Sequence, residues 1–161
     1  MVYRGHNPQW SHQPESGEGA RLHGGRWNPV GVPALYTSVR FETAWLEAQQ
    51  GFPYKTQPLT LCSYEVDCAP ILDLTKPENQ RFYQVTEQTL CCAWLAEHLA
   101  GSEPGSWAVA RRLIREGIAG VQVHSQAIGA KQDDVNVVFW EWSTDKPRRV
   151  VVIDDEGRLR T

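Results

Sequence analysis

The sequence predicts an α+β domain, and two observations carry that reading. Stretches with strand patterning and stretches with helical periodicity follow one another without the regular alternation of a doubly wound sheet. The composition is that of a chain able to build its own core: 161 residues, 41% hydrophobic and 22% charged, close to the average for soluble globular domains. The length predicts a single domain over 1–161. A chain of this size buries roughly 70% of its unfolded surface, so it needs neither disulfides nor a metal to reach a core.

The elements can be justified in order. Residues 2–4 read as a short strand. Residues 6–22 are polar and rich in Gly, Pro and Ser, which predicts a long loop of the kind that often carries function. Residues 34–37 form a second short strand. Ser38 stands where it can cap a helix over 39–50. The apolar stripe of that helix is Phe41, Ala44, Trp45 and Ala48, spaced i, i+3, i+4, i+7, and Gly51 and Pro53 end it. Residues 59–66 and 71–74 read as strands. One long helix is predicted over 85–100, with Leu90, Cys91, Trp94, Leu95, His98 and Leu99 on its face and Gly101 after it. Pro104 fits the first turn of a further helix to Glu116. Residues 118–123, 135–142 and 150–153 complete the strands. Most of the seven tryptophans belong in the core, because each ring offers a large apolar area.

Charge and cysteine usage exclude several function classes. The net charge of −3 lacks the basic excess of nucleic-acid binders, so no direct nucleic-acid contact is expected. No run of about 18 apolar residues exists to span a membrane. The first 19 residues are polar and unlike a signal peptide, which predicts a cytoplasmic protein. Cys62, Cys68, Cys91 and Cys92 form no CxxC pair and read as reduced thiols. Cys91 and His98 share a helix face but stand roughly 10 Å apart, too far for one metal. No metal site is expected.

The chemistry-bearing stretch is Gly24-Gly25-Arg26-Trp27-Asn28-Pro29. Two glycines permit close backbone approach or positive φ. The arginine offers a planar fork for phosphate or carboxylate, and the tryptophan a stacking face. The stretch is compatible with a nucleotide-phosphate loop and with an ordinary turn; it is neither a P-loop nor a GxGxxG motif. Tyr36 ends the second strand. Glu47 falls about 60° from Ala44 on the helical wheel, at the edge of the stripe, a position open to a cleft or to solvent. Ser125 begins a polar turn, where it can hold a ligand or cap a loop. Asp133-Asp134 reads as a turn. Glu141, between Trp140 and Trp142, fits the polar face of an edge strand or a catalytic carboxylate.

Taken together these residues resemble the RES domain, the toxin half of a bacterial toxin–antitoxin pair. The stretch that carries the likeness is GGRWNPVGVPALYTSVRFETAWLE, from Gly24 to Glu47, supplying Arg26, Tyr36 and Glu47. Asp73-Leu74, Gly117-Ile118, Ser125 and Tyr3-Arg4 add weaker matches, and Glu116 stands where the family commonly has Asp. The resemblance implies an ADP-ribosyltransferase-like fold of mixed sheets with a few flanking helices. It implies an enzyme that takes NAD as substrate, with no separate cofactor, and cleaves the nicotinamide–ribose bond by hydrolysis, phosphorolysis or ADP-ribosyl transfer to a protein. Glu47 would stabilise the ribosyl cation, and Arg26 would pair with the pyrophosphate or orient the ribose. Tyr36 would stack on nicotinamide. Trp27, Asn28 and Ser125 would contribute to binding. The implied partner is an Xre-type helix-turn-helix antitoxin in a hetero-oligomer. Three alternatives remain open at this level: a site built on Arg4 and Glu141, an RNA-cleaving site using Arg26 with His23 or His124, and a nucleotide-binding module without catalysis.

Overall fold

The computed structural model describes residues 1–50 and 57–159. Seven strands form one sheet: β1 (Val2–His6), β2 (Leu35–Ser38), β3 (Thr60–Cys68), β4 (Ile71–Asp73), β5 (Gly120–His124), β6 (Val135–Phe139) and β7 (Arg148–Val152). Their spatial order is β4-β5-β6-β2-β1-β3-β7. Neighbours are antiparallel except β4 and β5, which run parallel. The helices are α1 (Glu18–His23), α2 (Phe41–Gln49), α3 (Pro77–Phe82), α4 (Glu87–Leu90), α5 (Trp94–Leu99) and α6 (Gly105–Arg115). The chain thus adopts the expected α+β class, with a mixed sheet and flanking helices.

The strand period of two divides the core. From β6, Val138 and the following Trp140 enter a cluster with Trp27, Leu113 and Val121. Val137 and Phe139 enter a second cluster on the other face, with Leu35, Tyr64 and Val150. The sheet narrows between β1 and β2, which share one register pair, Tyr3 with Ser38, whereas β1 and β3 stay in register from Val2–Tyr64 to His6–Thr60. Helix α2 crosses beside this waist. A Cβ on Gly5 would lie 2.9 Å from Ala48 Cβ and 3.3 Å from the Ala44 carbonyl, so the close approach of α2 to β1 requires glycine there.

Several expectations are corrected. The loop over 6–22 contains a 3-10 turn, Pro8–Trp10, and the start of α1. Helix α3 was not expected. The helix expected over 85–100 is two short ones, α4 and α5, separated at residues 91–93. Residue 104 is the N-cap of α6 rather than part of its first turn, and the strand expected over 135–142 ends at Phe139. Ser38 does not cap α2. Arg40 occupies that position without a side-chain cap, and Ser38 Oγ donates to Asn136 Oδ1 at 2.7 Å. The buried stripe of α2 is also rotated: Thr43 and Ala44 are buried, while Phe41 and Trp45 are 52% and 44% exposed. The tight seat on Gly5 admits small side chains and displaces the aromatics to the flank, where Phe41 meets Tyr3 edge-on. Gly51 and Pro53, expected to end α2, lie outside the described residues.

Buried Thr43 fixes α2 to the turn before β6. Its hydroxyl donates to Asp134 Oδ1 at 2.5 Å, and the Lys131 amide donates to Oδ2 at 2.7 Å. The Lys131 amide first, then the Thr43 hydroxyl, hold the Asp134 carboxyl below its usual range. A depressed folded-state pKa contributes stability above the unfolded value of about 3.9, and this is lost as pH falls through the folded value. Asp134→Asn is therefore expected to be less stable than the parent at neutral pH, with a gap that narrows as pH falls below the unfolded value of about 3.9. Urea unfolding at a series of pH values measures it; a gap independent of pH counts against this assignment.

Candidate active site

The turn from Gly24 to Asn28 is clamped from several directions. Gly24 ends α1 at φ 72°, a conformation that favours glycine. At Gly25 a Cβ would stand 2.4 Å from Tyr36 Oη and 2.8 Å from Asn28 Oδ1. The backbones of Gly25 and Asn28 bond reciprocally. Asn28 is fully buried. Its Nδ2 donates to the carbonyls of Ala20 and Val32, each at 2.8 Å. Its Oδ1 accepts from Tyr36 Oη at 2.7 Å, and Tyr36 Oη accepts from the Trp27 amide at 2.9 Å. The indoles of Trp107 and Trp140 donate to the carbonyls of Gly25 and Trp27.

This geometry revises three roles. Asn28 has no free polar atom for a ligand and acts as the clamp of the turn. Trp27 is a core residue that reaches the cavity described below only at its margin. Tyr36 spends its hydroxyl inside the protein, and burial pushes its pKa well above the ordinary phenol value, so a ligand meets its ring. The glycines likewise serve the approach of Tyr36 and Asn28.

The clamp leaves Arg26 pointing outward. Its guanidinium donates to the carbonyl of Cys92. That carbonyl is available because α4 and α5 are separate; in a continuous helix the amide four residues on would take it.

Glu47 lies in the last turn of α2. Its Oε1 accepts from Ser125 Oγ at 2.6 Å and from Asn136 Nδ2 at 2.5 Å, and Oε2 accepts from the side chain of Gln50. Ser125 is buried, and its Oγ also accepts from the Ala127 amide at 3.1 Å. Ser38 occupies Asn136 Oδ1 and so turns the amide nitrogen toward the carboxylate. Asn136 was not singled out from the sequence. Its signal was there: it is the one polar residue in the strand Val-Asn-Val-Val-Phe.

A cavity of about 320 Å³ is bordered by Arg26, Trp27, Tyr36, Glu47, Trp94 and Asn136. Glu47, Tyr36 and Asn136 also border a second cavity, of about 300 Å³, beside the narrow β1–β2 junction. The structure thus gathers Arg26, Tyr36 and Glu47 around one space, with Ser125 behind the carboxylate. An anchored carboxylate and a guanidinium bordering one aromatic-lined cavity suit a substrate that develops positive charge near a phosphate.

The other candidates lie apart. The Arg4 guanidinium donates to the carbonyls of Pro14 and Ser16 at 2.8 and 2.9 Å. Glu141 is exposed and pairs with Arg148 at 2.9 Å. His23 borders a different cavity, with His6 and Trp10, whereas His124 borders the one that Arg26 lines. Among the described residues no three His, Cys, Asp or Glu side chains are grouped to hold a metal ion. No helix among them is long and apolar enough to cross a membrane.

The fold has a solved counterpart. The crystal structure of the M. tuberculosis MbcT–MbcA toxin–antitoxin complex is similar with a TM-score of 0.71 at 21% sequence identity, over 95% of this chain and 80% of that one. No curated protein matches the chain in sequence. The RES domain model matches residues 1–161, so the chain, from β1 through the Arg26–Glu47 cavity to its last residues, belongs to the RES domain family.

Proposed function

We propose that the protein binds NAD and cleaves its nicotinamide–ribose bond, and that it acts as the toxin of a toxin–antitoxin pair. The observation that carries this reading is the Glu47 carboxylate, held by Ser125 and Asn136 at the edge of a cavity that it shares with Arg26. When the bond breaks, its electron pair leaves with nicotinamide and positive charge develops at ribose C1. A fixed anion aimed at that carbon stabilises the transition state more than the ground state. Arg26 gives up the Cys92 carbonyl for the pyrophosphate, a charge-assisted bond in place of a neutral acceptor. Attack on C1 by water, with loss of a proton, yields ADP-ribose; attack by phosphate yields the 1-phosphate; attack by a protein side chain yields a modified protein. NAD is the substrate throughout, and no further cofactor is invoked.

The partner in this reading is an Xre-type antitoxin that covers the Arg26–Glu47 cavity in a hetero-oligomer. The relevant support is the family, together with the toxin–antitoxin complex to which the fold is similar. The test is chromatographic assay of nicotinamide release from NAD by the folded, antitoxin-free protein, with and without phosphate. Release accompanied by ADP-ribose or its 1-phosphate is expected. Absence of release overturns the reading, and transfer of label to a protein acceptor replaces it with ADP-ribosyl transfer.

A further inference from the structure

The cavity bordered by Arg26 and Glu47 is the middle one of three that adjoin through shared lining residues. On one side Glu47, Tyr36 and Asn136 separate it from the cavity beside the β1–β2 junction. On the other, Val123, His124 and Gln126 border both it and a third cavity, of about 260 Å³, whose remaining walls include Gln80, Glu87, Leu90 and Cys91. The middle cavity, at about 320 Å³, sits at the bottom of the range that holds a drug-sized ligand, and a dinucleotide needs more length. The separation of α4 from α5 makes the outer wall of the row. Leu90 and Cys91 border the third cavity, Trp94 the middle one, and the Cys92 carbonyl between them meets Arg26.

We infer that the dinucleotide lies across all three cavities with one polarity: nicotinamide beside the β1–β2 junction, pyrophosphate in the middle, and adenosine in the third cavity beside Cys91. The inference rests on the proposed NAD reading, which puts the scissile bond at Glu47. From that bond, the phosphate side of the substrate must run toward Arg26, which borders the middle cavity. The leaving base then falls on the far side of Glu47, and the adenosine beyond the pyrophosphate. The end walls match these occupants. Beside the β1–β2 junction, Thr37 and Ser38 donate their hydroxyl protons to the Val137 carbonyl and Asn136 Oδ1 and keep oxygen lone pairs as acceptors for a carboxamide N–H, and the Arg4 guanidinium is already engaged with Pro14 and Ser16. The third cavity is a mixed slot. Leu74, Leu90 and Val123 offer apolar surface to a purine. Gln80 spends its nitrogen on the Leu74 carbonyl and keeps its oxygen as an acceptor. Glu87 offers a carboxylate to a ribose diol.

Cys91 is exposed and reduced, while Cys62 and Cys92 are buried, so alkylation reports on the third cavity directly. The experiment follows iodoacetamide modification of Cys91 by mass spectrometry, with Cys68 as the internal control. Adenosine monophosphate at ten times its Kd is expected to slow Cys91 modification about tenfold and to leave Cys68 unaffected; nicotinamide is expected to leave both unaffected. Protection of Cys91 by nicotinamide instead reverses the polarity and overturns the inference, as does absence of protection by adenosine monophosphate. A second variant adds a kinetic readout: Cys91→Phe fills the slot and is expected to lower kcat/KM for NAD at least about tenfold more than for nicotinamide mononucleotide, which lacks the adenosine half. Equal losses on both substrates overturn the inference. Nicotinamide release by the parent protein is scored separately, so that failure of the NAD reading is told apart from failure of this placement.

Discussion

Glu47→Gln is expected to lower kcat for nicotinamide release by about 10²–10³-fold, the usual cost of losing one preorganised electrostatic group, with KM changed little. The expectation follows from how the carboxylate is held. Oε1 accepts from Ser125 and Asn136, and a glutamine oxygen can accept the same two bonds. The glutamine nitrogen then replaces Oε2, whose partner Gln50 is exposed and free to turn away. The fold keeps its contacts, and the carboxylate's negative charge, proposed to face the developing ribosyl cation, is lost. Arg26→Ala is the contrasting variant. Under the proposed function it removes a group that would meet phosphate charge in ground and transition states alike, so its expected first effect is a raised KM. Steady-state turnover of both variants, with circular dichroism to verify folding, separates the two roles. A folded Glu47→Gln protein that keeps kcat within about twofold, far from the usual loss, shows that Glu47 is not the catalytic carboxylate.

Asn28→Ala is expected to have the largest effect on stability. The substitution leaves the Val32 carbonyl without its donor and the Tyr36 hydroxyl without its acceptor, and takes one of two donors from the Ala20 carbonyl, which keeps the Gly24 amide, all around a position with no exposure. Unsatisfied buried groups cost about 1–3 kcal/mol each, so a total loss of roughly 3 kcal/mol is a conservative expectation given partial relaxation. For a chain of this length that corresponds to a fall in Tm of roughly 6–12 °C. Tyr36→Phe removes one hydroxyl from the same cluster and is expected to cost less. Thermal unfolding of the two variants beside the parent checks the order. An Asn28→Ala Tm within about 2 °C of the parent, less than 1 kcal/mol, shows that the turn does not depend on this clamp.

The sequence disclosed residue types more readily than the direction each side chain takes. Arg26 and Glu47 are placed around one cavity, as the motif suggests. Asn28 and Tyr36 belong to the same motif, but spacing does not say which side of a turn faces inward, and their polar atoms turn out to bond each other. Helix α3 had a legible start, with Pro77 in its first turn and Glu78 beside it, a recognised signature. The separation of α4 from α5 had none. Residues 91–93 are Cys, Cys and Ala, without glycine or proline. Long-range contacts accompany the interruption: Arg26 on the Cys92 carbonyl and Ser106 Oγ accepting from Cys92 Sγ at 3.3 Å. The exposure of Phe41 and Trp45 was hidden for a related reason. Periodicity locates an apolar stripe, whereas the glycine at position 5 of a distant strand decides how closely the helix sits and which side chains fit beneath it.

The anchoring of Glu47 also has a consequence in time. Its two partners on Oε1 follow it in the chain by 78 and 89 residues. At a synthesis rate of about 5–20 residues per second, roughly 4–18 s pass between translation of Glu47 and translation of Asn136. During that interval the growing polypeptide contains Arg26, Tyr36 and Glu47 yet lacks the strand that aims the carboxylate. Under the proposed function, the half-made chain would have the carboxylate without the two groups that fix it, and a neutralising partner would have those seconds in which to bind before the anchored arrangement forms.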